Sequence, residues 1–176
     1  MTTKVLILPG YQGSGENHWQ TLWERQNPGF QRVEQRDWAY PRCREWLEVL
    51  DEAVNRSGPD TLLVAHSLAC LLVVQWAATT CQPIRGAFLV APPDPDGDRF
   101  PSAAEGFDDF PRHPLPFRSR LVASTNDPFG SFSFAESCAG AWGSELFNAG
   151  AAGHINVDSR HGEWPSGWTW LRQLIA

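Results

Sequence analysis

A single serine stands between an apolar strand-like run and an apolar helical pattern, and its position restricts the local backbone more than any other residue does. The run covers residues 61–64, the helical pattern covers residues 70–78, and Ser67 falls at the bend between them. A serine at such a bend projects alone above the edge of a sheet, an arrangement called a nucleophile elbow. The positions two before and two after it must be small, and Ala65 and Ala69 stand where the usual pattern has glycine. Ser67 is therefore a candidate nucleophile, and the alternative is a helix N-cap, a role that serine often fills.

Short apolar runs alternate with helical patterns along the chain. The predicted strands cover residues 5–8, 31–35, 61–65, 85–91, 119–124 and 145–148. The predicted helices cover residues 16–26, 42–56, 68–79, 132–142 and 168–175. Short strands without polar alternation, separated by helices, indicate a parallel sheet that is covered on both faces. We therefore predict one α/β domain over residues 1–176, doubly wound, with a mostly parallel sheet of about six strands flanked by helices.

Composition and charge limit the partners of this chain. Its 176 residues suffice for one domain, and 42% hydrophobic with 19% charged residues indicates a globular protein. The net charge of −6 argues against nucleic acid or an anionic membrane surface as a partner. No run is long enough for a signal-peptide core or a membrane span, and the four cysteines are scattered without a Cys-x-x-Cys motif. We therefore expect a reduced, cytoplasmic protein without a cysteine-based metal site.

A serine nucleophile needs a base within hydrogen-bond reach and an acid that orients the base. In α/β proteins with such an elbow, the order along the chain is serine, acid, histidine. Asp127 follows the predicted strand 119–124 and is the favoured acid, ahead of three aspartates in a proline-rich loop: Asp94, Asp96 and Asp98. The alternative for Asp127 is that it caps a helix with Pro128 at the first helical position.

The favoured base is His154, which follows the last predicted strand after a glycine-rich turn. A side chain at that place can reach across the edge of the sheet. The four other histidines fit this position less well: His18, His66, His113 and His161. Although His66 adjoins Ser67 in sequence, we expect its side chain to point away from the serine.

An oxyanion hole requires two backbone N–H groups directed at the developing negative charge. Leu68 provides one because it follows the serine at a helix N-terminus, and Tyr11, in the loop after the first strand, is the candidate for the other. Gly10 would permit the close approach of that loop. The alternative for residues 10–15 is phosphate binding, but they do not match Gly-x-Gly-x-x-Gly and no Lys-Ser/Thr pair follows.

One long segment, residues 92–117, contains seven prolines and no clear helix or strand pattern. It leaves the carboxyl end of a strand, the edge at which ligands bind in open α/β sheets. It is therefore either a rim for a substrate or an irregular cover over apolar surface.

Several stretches match one known family in order along the chain. They are residues 6–10, His18 with Trp19, and residues 66–68, 123–129, 141–143, 153–156 and 162–165. Together they resemble the small serine hydrolases related to retinoblastoma-binding protein 9 and bacterial YdeN. The resemblance implies a minimal α/β-hydrolase fold without a large lid, a triad of Ser67, Asp127 and His154, and esterase-like activity. The chain departs from the pattern in the two alanines around Ser67 and in Arg160, where relatives commonly carry a small residue.

The sequence thus predicts a serine hydrolase that cleaves small ester, thioester or amide substrates through an acyl-enzyme, with no metal and no cofactor. Besides the triad and the oxyanion hole, Gly10, His66 and Trp19 are candidates for contact with the substrate. The alternative function is a non-catalytic protein-interaction module on the same scaffold, with a recognition surface formed by Trp19, Trp38, Trp164 and Trp168. The competing interpretation of the nine tryptophans is that most of them fill the core.

Overall fold

The computed structural model describes residues 3–175, and its centre is a sheet of six parallel strands in the order β2-β1-β3-β4-β5-β6. The strands are β1 (Lys4–Leu8), β2 (Phe30–Arg32), β3 (Thr61–His66), β4 (Gly86–Val90), β5 (Arg118–Ala123) and β6 (Glu145–Asn148). The helices are α1 (Trp19–Gln26), α2 (Cys43–Ser57), α3 (Leu68–Thr79), α4 (Phe132–Trp142) and α5 (Pro165–Ile175). The predicted α/β fold with about six mostly parallel strands flanked by helices is confirmed.

Each central strand buries side chains on both of its faces, which explains why the strands are apolar without alternation. In β1, Leu6 and Leu8 join a core cluster that includes residues of α2, α3 and α4. Val5 and Ile7 of the same strand join a second cluster on the opposite face, which includes residues of α1 and α5. The carboxyl ends of the strands therefore meet at one edge between two helical layers, and their loops can converge there.

Three predicted elements differ from the structure by more than one residue at a boundary. Helix α1 begins at Trp19 rather than at residue 16, because His18 is its N-cap and accepts a hydrogen bond from the Gln20 N–H at 3.2 Å. Helix α5 begins at Pro165 rather than at residue 168, because proline suits the first helical position. Strand β2 lies at the edge of the sheet and spans only residues 30–32 instead of 31–35.

The proline-rich segment 92–117 contains turns and bends and one isolated bridge, between Arg42 and Glu105. Phe107 and Phe110 are buried in the core cluster formed with α2, α3 and α4. Two of its prolines, Pro93 and Pro101, line the cleft described below. The segment is therefore both a cover over apolar surface and a rim of that cleft. None of the helices within residues 3–175 is long and apolar enough to cross a lipid bilayer.

Candidate active site

Ser67 lies at a strained bend between β3 and α3. Its backbone has φ 55° and ψ −125°, a conformation that residues other than glycine rarely adopt. The Ser67 N–H donates to the carbonyl oxygen of Val90 at 2.9 Å, which fixes the bend against β4. Ala65 and Ala69 are completely buried. Ser67 also occupies the N-cap position of α3, as the alternative interpretation expected, but its hydroxyl accepts no hydrogen bond from the start of the helix.

Ser67, His154 and Asp127 form one chain of hydrogen bonds. The Ser67 hydroxyl lies 2.8 Å from Nε2 of His154 and can donate to it. The Nδ1–H of His154 donates to the Asp127 carboxylate, with both oxygens at 2.9 Å. The Asp127 side chain is only 2% exposed and that of His154 only 9%, so water competes little for these bonds. Such an arrangement can move a proton from the serine to the histidine while the carboxylate orients the ring.

Asp127 is held by a turn rather than by a helix. Its Oδ1 accepts a hydrogen bond from the Phe129 N–H at 2.9 Å. Helix α4 begins at Phe132, and Ser131 is its N-cap. The alternative that Asp127 caps this helix was therefore wrong.

Two polar side chains join the loop after β5 to the loop that carries His154. The N–H of Ala152 donates to Ser124 Oγ at 2.9 Å, and the N–H of Gly153 donates to Asn126 Oδ1 at 2.7 Å. The Ser124 hydroxyl in turn donates to Asn126 Oδ1 at 2.9 Å. These bonds set the position of the candidate base relative to the candidate acid. Sequence reasoning missed both residues, although they lie within the stretch 123–129 that carried the resemblance.

His66 and Trp19 support the His154 loop from behind. The His66 Nε2–H donates to the carbonyl oxygen of His154 at 2.9 Å, and within residues 3–175 the ring makes no hydrogen bond to the serine hydroxyl. Burial, together with the nearby His18 and His154, holds the pKa of His66 well below its usual value. The Trp19 indole N–H donates to the carbonyl oxygen of Ile155 at 2.8 Å. Trp19 is 1% exposed and packs in the core, so the prediction that it contacts the substrate was wrong. His66, by contrast, lines the cleft.

Gly10 brings the loop after β1 into contact with the elbow. A Cβ at this position would lie 2.8 Å from the His66 carbonyl oxygen, 3.0 Å from Ser67 Cβ and 3.2 Å from the Leu68 nitrogen, so only glycine fits without a shift. Within residues 3–175 the backbone N–H groups of Tyr11 and Leu68 donate to no protein acceptor. Both are thus free to bind an oxyanion beside Ser67.

The same loop is poorly suited to a phosphate. The Gln12 N–H donates to the Trp38 carbonyl at 2.8 Å, and the Gly13 N–H donates to the Gly10 carbonyl at 2.9 Å. Two N–H groups that a phosphate cradle would use are therefore already bound within the protein.

Gln20 fixes the separation of the two strands below this loop. It is fully buried, and its Nε2 donates to the carbonyl oxygens of Leu8 at 3.0 Å and Val64 at 3.1 Å. Its Oε1 accepts from the Ser14 hydroxyl at 2.6 Å. Leu8 is the last residue of β1 and Val64 lies two residues before the end of β3, so Gln20 joins the two strands near their carboxyl ends.

A small cleft of about 210 Å³ lies over the serine. Its walls include residues 11–13 of the loop after β1, together with His18, His66, Pro93, Pro101, Phe129, His154, Asn156 and Asp158. Larger surface clefts, such as one of about 570 Å³ beside β2, lie away from the serine. No group of three or more His, Cys, Asp or Glu side chains within residues 3–175 is arranged to hold a metal ion.

Comparison with known proteins places these features in a family context. A family model described as serine hydrolase matches residues 5–173. The crystal structure of a YdeN-like hydrolase from Pectobacterium atrosepticum has a TM-score of 0.89 to this chain, with 33% sequence identity. That match covers 99% of this chain and 91% of the other.

Two further proteins support the same fold. YdeN of Bacillus subtilis (strain 168), which is named as a hydrolase, is 27% identical over 169 residues, covering 90% of this chain and 88% of YdeN. The crystal structure of the ydeN gene product has a TM-score of 0.83 at 23% identity, with 98% of both chains covered. The thioesterase RedJ from Streptomyces coelicolor shares only the fold, with a TM-score of 0.67 at 18% identity, covering 98% of this chain and 89% of RedJ.

Proposed function

This chain belongs to the serine hydrolase family, and we propose that it cleaves small ester, thioester or amide substrates through an acyl-enzyme on Ser67. The observation that carries the proposal is the position of the His154 ring, which bonds the Ser67 hydroxyl on one side and the Asp127 carboxylate on the other. The predicted resemblance to YdeN-like hydrolases is confirmed, whereas the part that names retinoblastoma-binding protein 9 stays a prediction.

The reaction proceeds in two acyl-transfer steps. Ser67 Oγ attacks the substrate carbonyl carbon, and its proton passes to Nε2 of His154. The bond to the leaving group then breaks, and the leaving group takes that proton. Water attacks the acyl carbon with His154 again as the base, which releases the acid and restores the serine. Asp127 holds the Nδ1–H tautomer throughout and stabilises the imidazolium that forms.

The negative charge on the carbonyl oxygen needs stabilisation in both steps. The free N–H groups of Tyr11 and Leu68 are its proposed donors, and the N-terminus of α3 adds its positive dipole end. Losing one such donor typically raises the barrier by about 2.7–4 kcal/mol.

The alternative function, a non-catalytic interaction module, has less support. Binding alone does not require a chain of hydrogen bonds that can move a proton from a strained serine. Two of the tryptophans proposed for a recognition surface, Trp19 and Trp164, are 1% and 4% exposed and pack together with Trp23. They stabilise the core and cannot form the predicted surface.

Pre-steady-state hydrolysis of p-nitrophenyl butyrate by the wild type and by Ser67→Ala tests the proposal. We expect catalysed release of p-nitrophenol by the wild type, with a burst where deacylation is the slower step, and a loss of at least about 10³-fold in Ser67→Ala. A folded Ser67→Ala protein that retains the wild-type rate would refute the assignment of the nucleophile.

A further inference from the structure

His18 is a buried histidine that has no part in the proton-transfer chain. It is 5% exposed, lies at the end of the segment between β1 and α1, and lines the same cleft as Ser67. Its ring centroid is 4.8 Å from that of His66, and the His66 ring is 4.9 Å from the ring of His154. His18 therefore lies beside the site, and within residues 3–175 it makes no hydrogen bond to the serine or the acid.

The N-cap of α1 fixes the tautomer of His18. Its Nδ1 accepts the Gln20 N–H at 3.2 Å, so in the neutral ring the hydrogen is on Nε2. Burial, and after it the positive charge of Arg32 and the nearby His154, lowers the pKa of His18 to about 3. The ring is thus a neutral donor throughout the neutral pH range.

The Nε2–H of His18 has no protein acceptor. It makes no hydrogen bond within residues 3–175. Within residues 3–175, the fully buried side-chain polar atoms that lack a partner all belong to Gln35. His18 Nε2 also lacks a partner but is not among them, so it is not fully buried. Because His18 lines the cleft, the cleft is where an acceptor can reach this N–H, in addition to the proposed oxyanion N–H groups.

The charge of the cleft restricts what this donor can bind. No Lys or Arg occurs among the residues that line the cleft, and Asp158 contributes a carboxylate at its rim. Arg32, whose charge reaches His18, does not line the cleft and is paired with Glu24 at 3.0 Å. An anionic group would therefore meet the Asp158 carboxylate without a cation in the lining to offset it, so the cleft favours an uncharged partner.

We propose that His18 is a substrate-binding residue whose Nε2–H donates to an uncharged oxygen, such as an ether, hydroxyl or carbonyl, close to the scissile bond of a small acyl substrate. The inference rests on the proposed function and narrows its substrate class. A substrate without this acceptor leaves a largely buried N–H unpaired, which is the physical basis of the discrimination.

The test uses isosteric ester pairs and the His18→Asn variant. Asparagine is among the best N-caps, so the variant keeps the start of α1 while it removes the ring donor. On the acyl side, p-nitrophenyl methoxyacetate is compared with p-nitrophenyl butyrate, in which a methylene replaces the ether oxygen. On the alcohol side, 2-methoxyethyl butyrate is compared with butyl butyrate.

The measured quantity is the ratio of kcat/KM within each pair, wild type against variant, so that the intrinsic reactivity of the esters cancels. We expect His18→Asn to lower the preference for the ether-containing ester by about threefold to tenfold in at least one pair, the size of one neutral hydrogen bond. The matched control is His113→Asn, which changes an exposed histidine outside the cleft and should leave both ratios unchanged.

Labelling of Ser67 with a fluorophosphonate separates failure of this inference from failure of the proposed function. Unchanged ratios in both pairs, with wild type and His18→Asn both labelled, would overturn the role of His18. An equal loss on both members of each pair would also overturn it, because that is the effect of a structural residue. Absence of labelling in the folded wild type would instead refute the nucleophile.

Discussion

The two sides of the cleft are built by different means. On the acid–base side, the loops after β5 and β6 are joined by polar side chains, with Ser124 and Asn126 between the turn of Asp127 and that of His154. On the oxyanion side, the loop after β1 is held by close backbone contact at Gly10. A substitution on the first side should therefore act through lost hydrogen bonds, and one on the second side through steric displacement.

The largest expected effect lies on the acid–base side. Asp127→Asn keeps the shape of the side chain but removes the carboxylate that accepts from Nδ1 of His154, so the ring is no longer held in the productive tautomer. We expect turnover of p-nitrophenyl butyrate to fall by up to about 10⁴-fold. Asp94→Asn, in the proline-rich segment, is the matched control and should retain activity. Near-normal turnover of a folded Asp127→Asn protein would assign the acid to another residue.

The oxyanion side should lose activity without losing its acid and base. Gly10→Ala places a Cβ 2.8 Å from the His66 carbonyl and forces backbone atoms apart, which displaces the Tyr11 N–H. We expect kcat to fall by about 10²–10³, as for the loss of one oxyanion donor. Gly15→Ala is the control, because its Cβ would have no atom within 4 Å. If the two variants have equal activity, the close approach at Gly10 has no catalytic role.

The polar connection between the acid and base loops should contribute to stability. Ser124 is 1% exposed, and Ser124→Ala removes its bonds with the Ala152 N–H and with Asn126 Oδ1, while the Ala152 N–H keeps its bond to the Gly150 carbonyl oxygen at 3.0 Å. We expect the free energy of unfolding in urea to fall by about 1–3 kcal/mol, for the loss of two buried hydrogen bonds. The exposed Ser102→Ala serves as a control. An unchanged midpoint for Ser124→Ala would mean that this connection is not required.

Lowering the pH should reduce the stability of the folded protein, because the histidines beside the cleft are buried in their neutral form. Below its ordinary pKa of 6.5, His18 takes up a proton in the unfolded state, but it does so in the folded state only near pH 3. The neutral His18 therefore contributes its full stabilisation above pH 6.5. The free energy of unfolding should fall by about 2 kcal/mol between pH 7 and pH 5 because of His18 alone. His66, whose pKa is also lowered, adds to the loss. Urea unfolding at several pH values should give a smaller dependence on pH for His18→Asn, and an identical slope would contradict this account.

The sequence predicted the fold, and it predicted that Ser67, Asp127 and His154 come together, because both leave strong local patterns. Continuous apolar runs such as 61–64 can be satisfied only by a strand that is buried on two faces. The meeting of Ser67, Asp127 and His154 follows from the parallel sheet, since each residue comes after the carboxyl end of a strand and these ends lie at one edge.

The residues that hold the site could not be predicted from pattern alone. Gln20 and His18 lie in or next to a short helix, where a polar residue normally indicates solvent, and only the tertiary structure shows that they bond strand ends and a helix terminus. Trp19 was placed at the substrate because it lies in a motif, yet its indole N–H supports the loop after His154. Sequence position identifies which loop a residue belongs to, but the direction of its side chain depends on packing against elements far along the chain.

The central claim is that Ser67 is an activated nucleophile, and intact-mass analysis after treatment with a fluorophosphonate probe tests it most directly. The account predicts a single adduct on the wild type and no adduct on folded Ser67→Ala. No adduct on the folded wild type, or an equal adduct on Ser67→Ala, would contradict it.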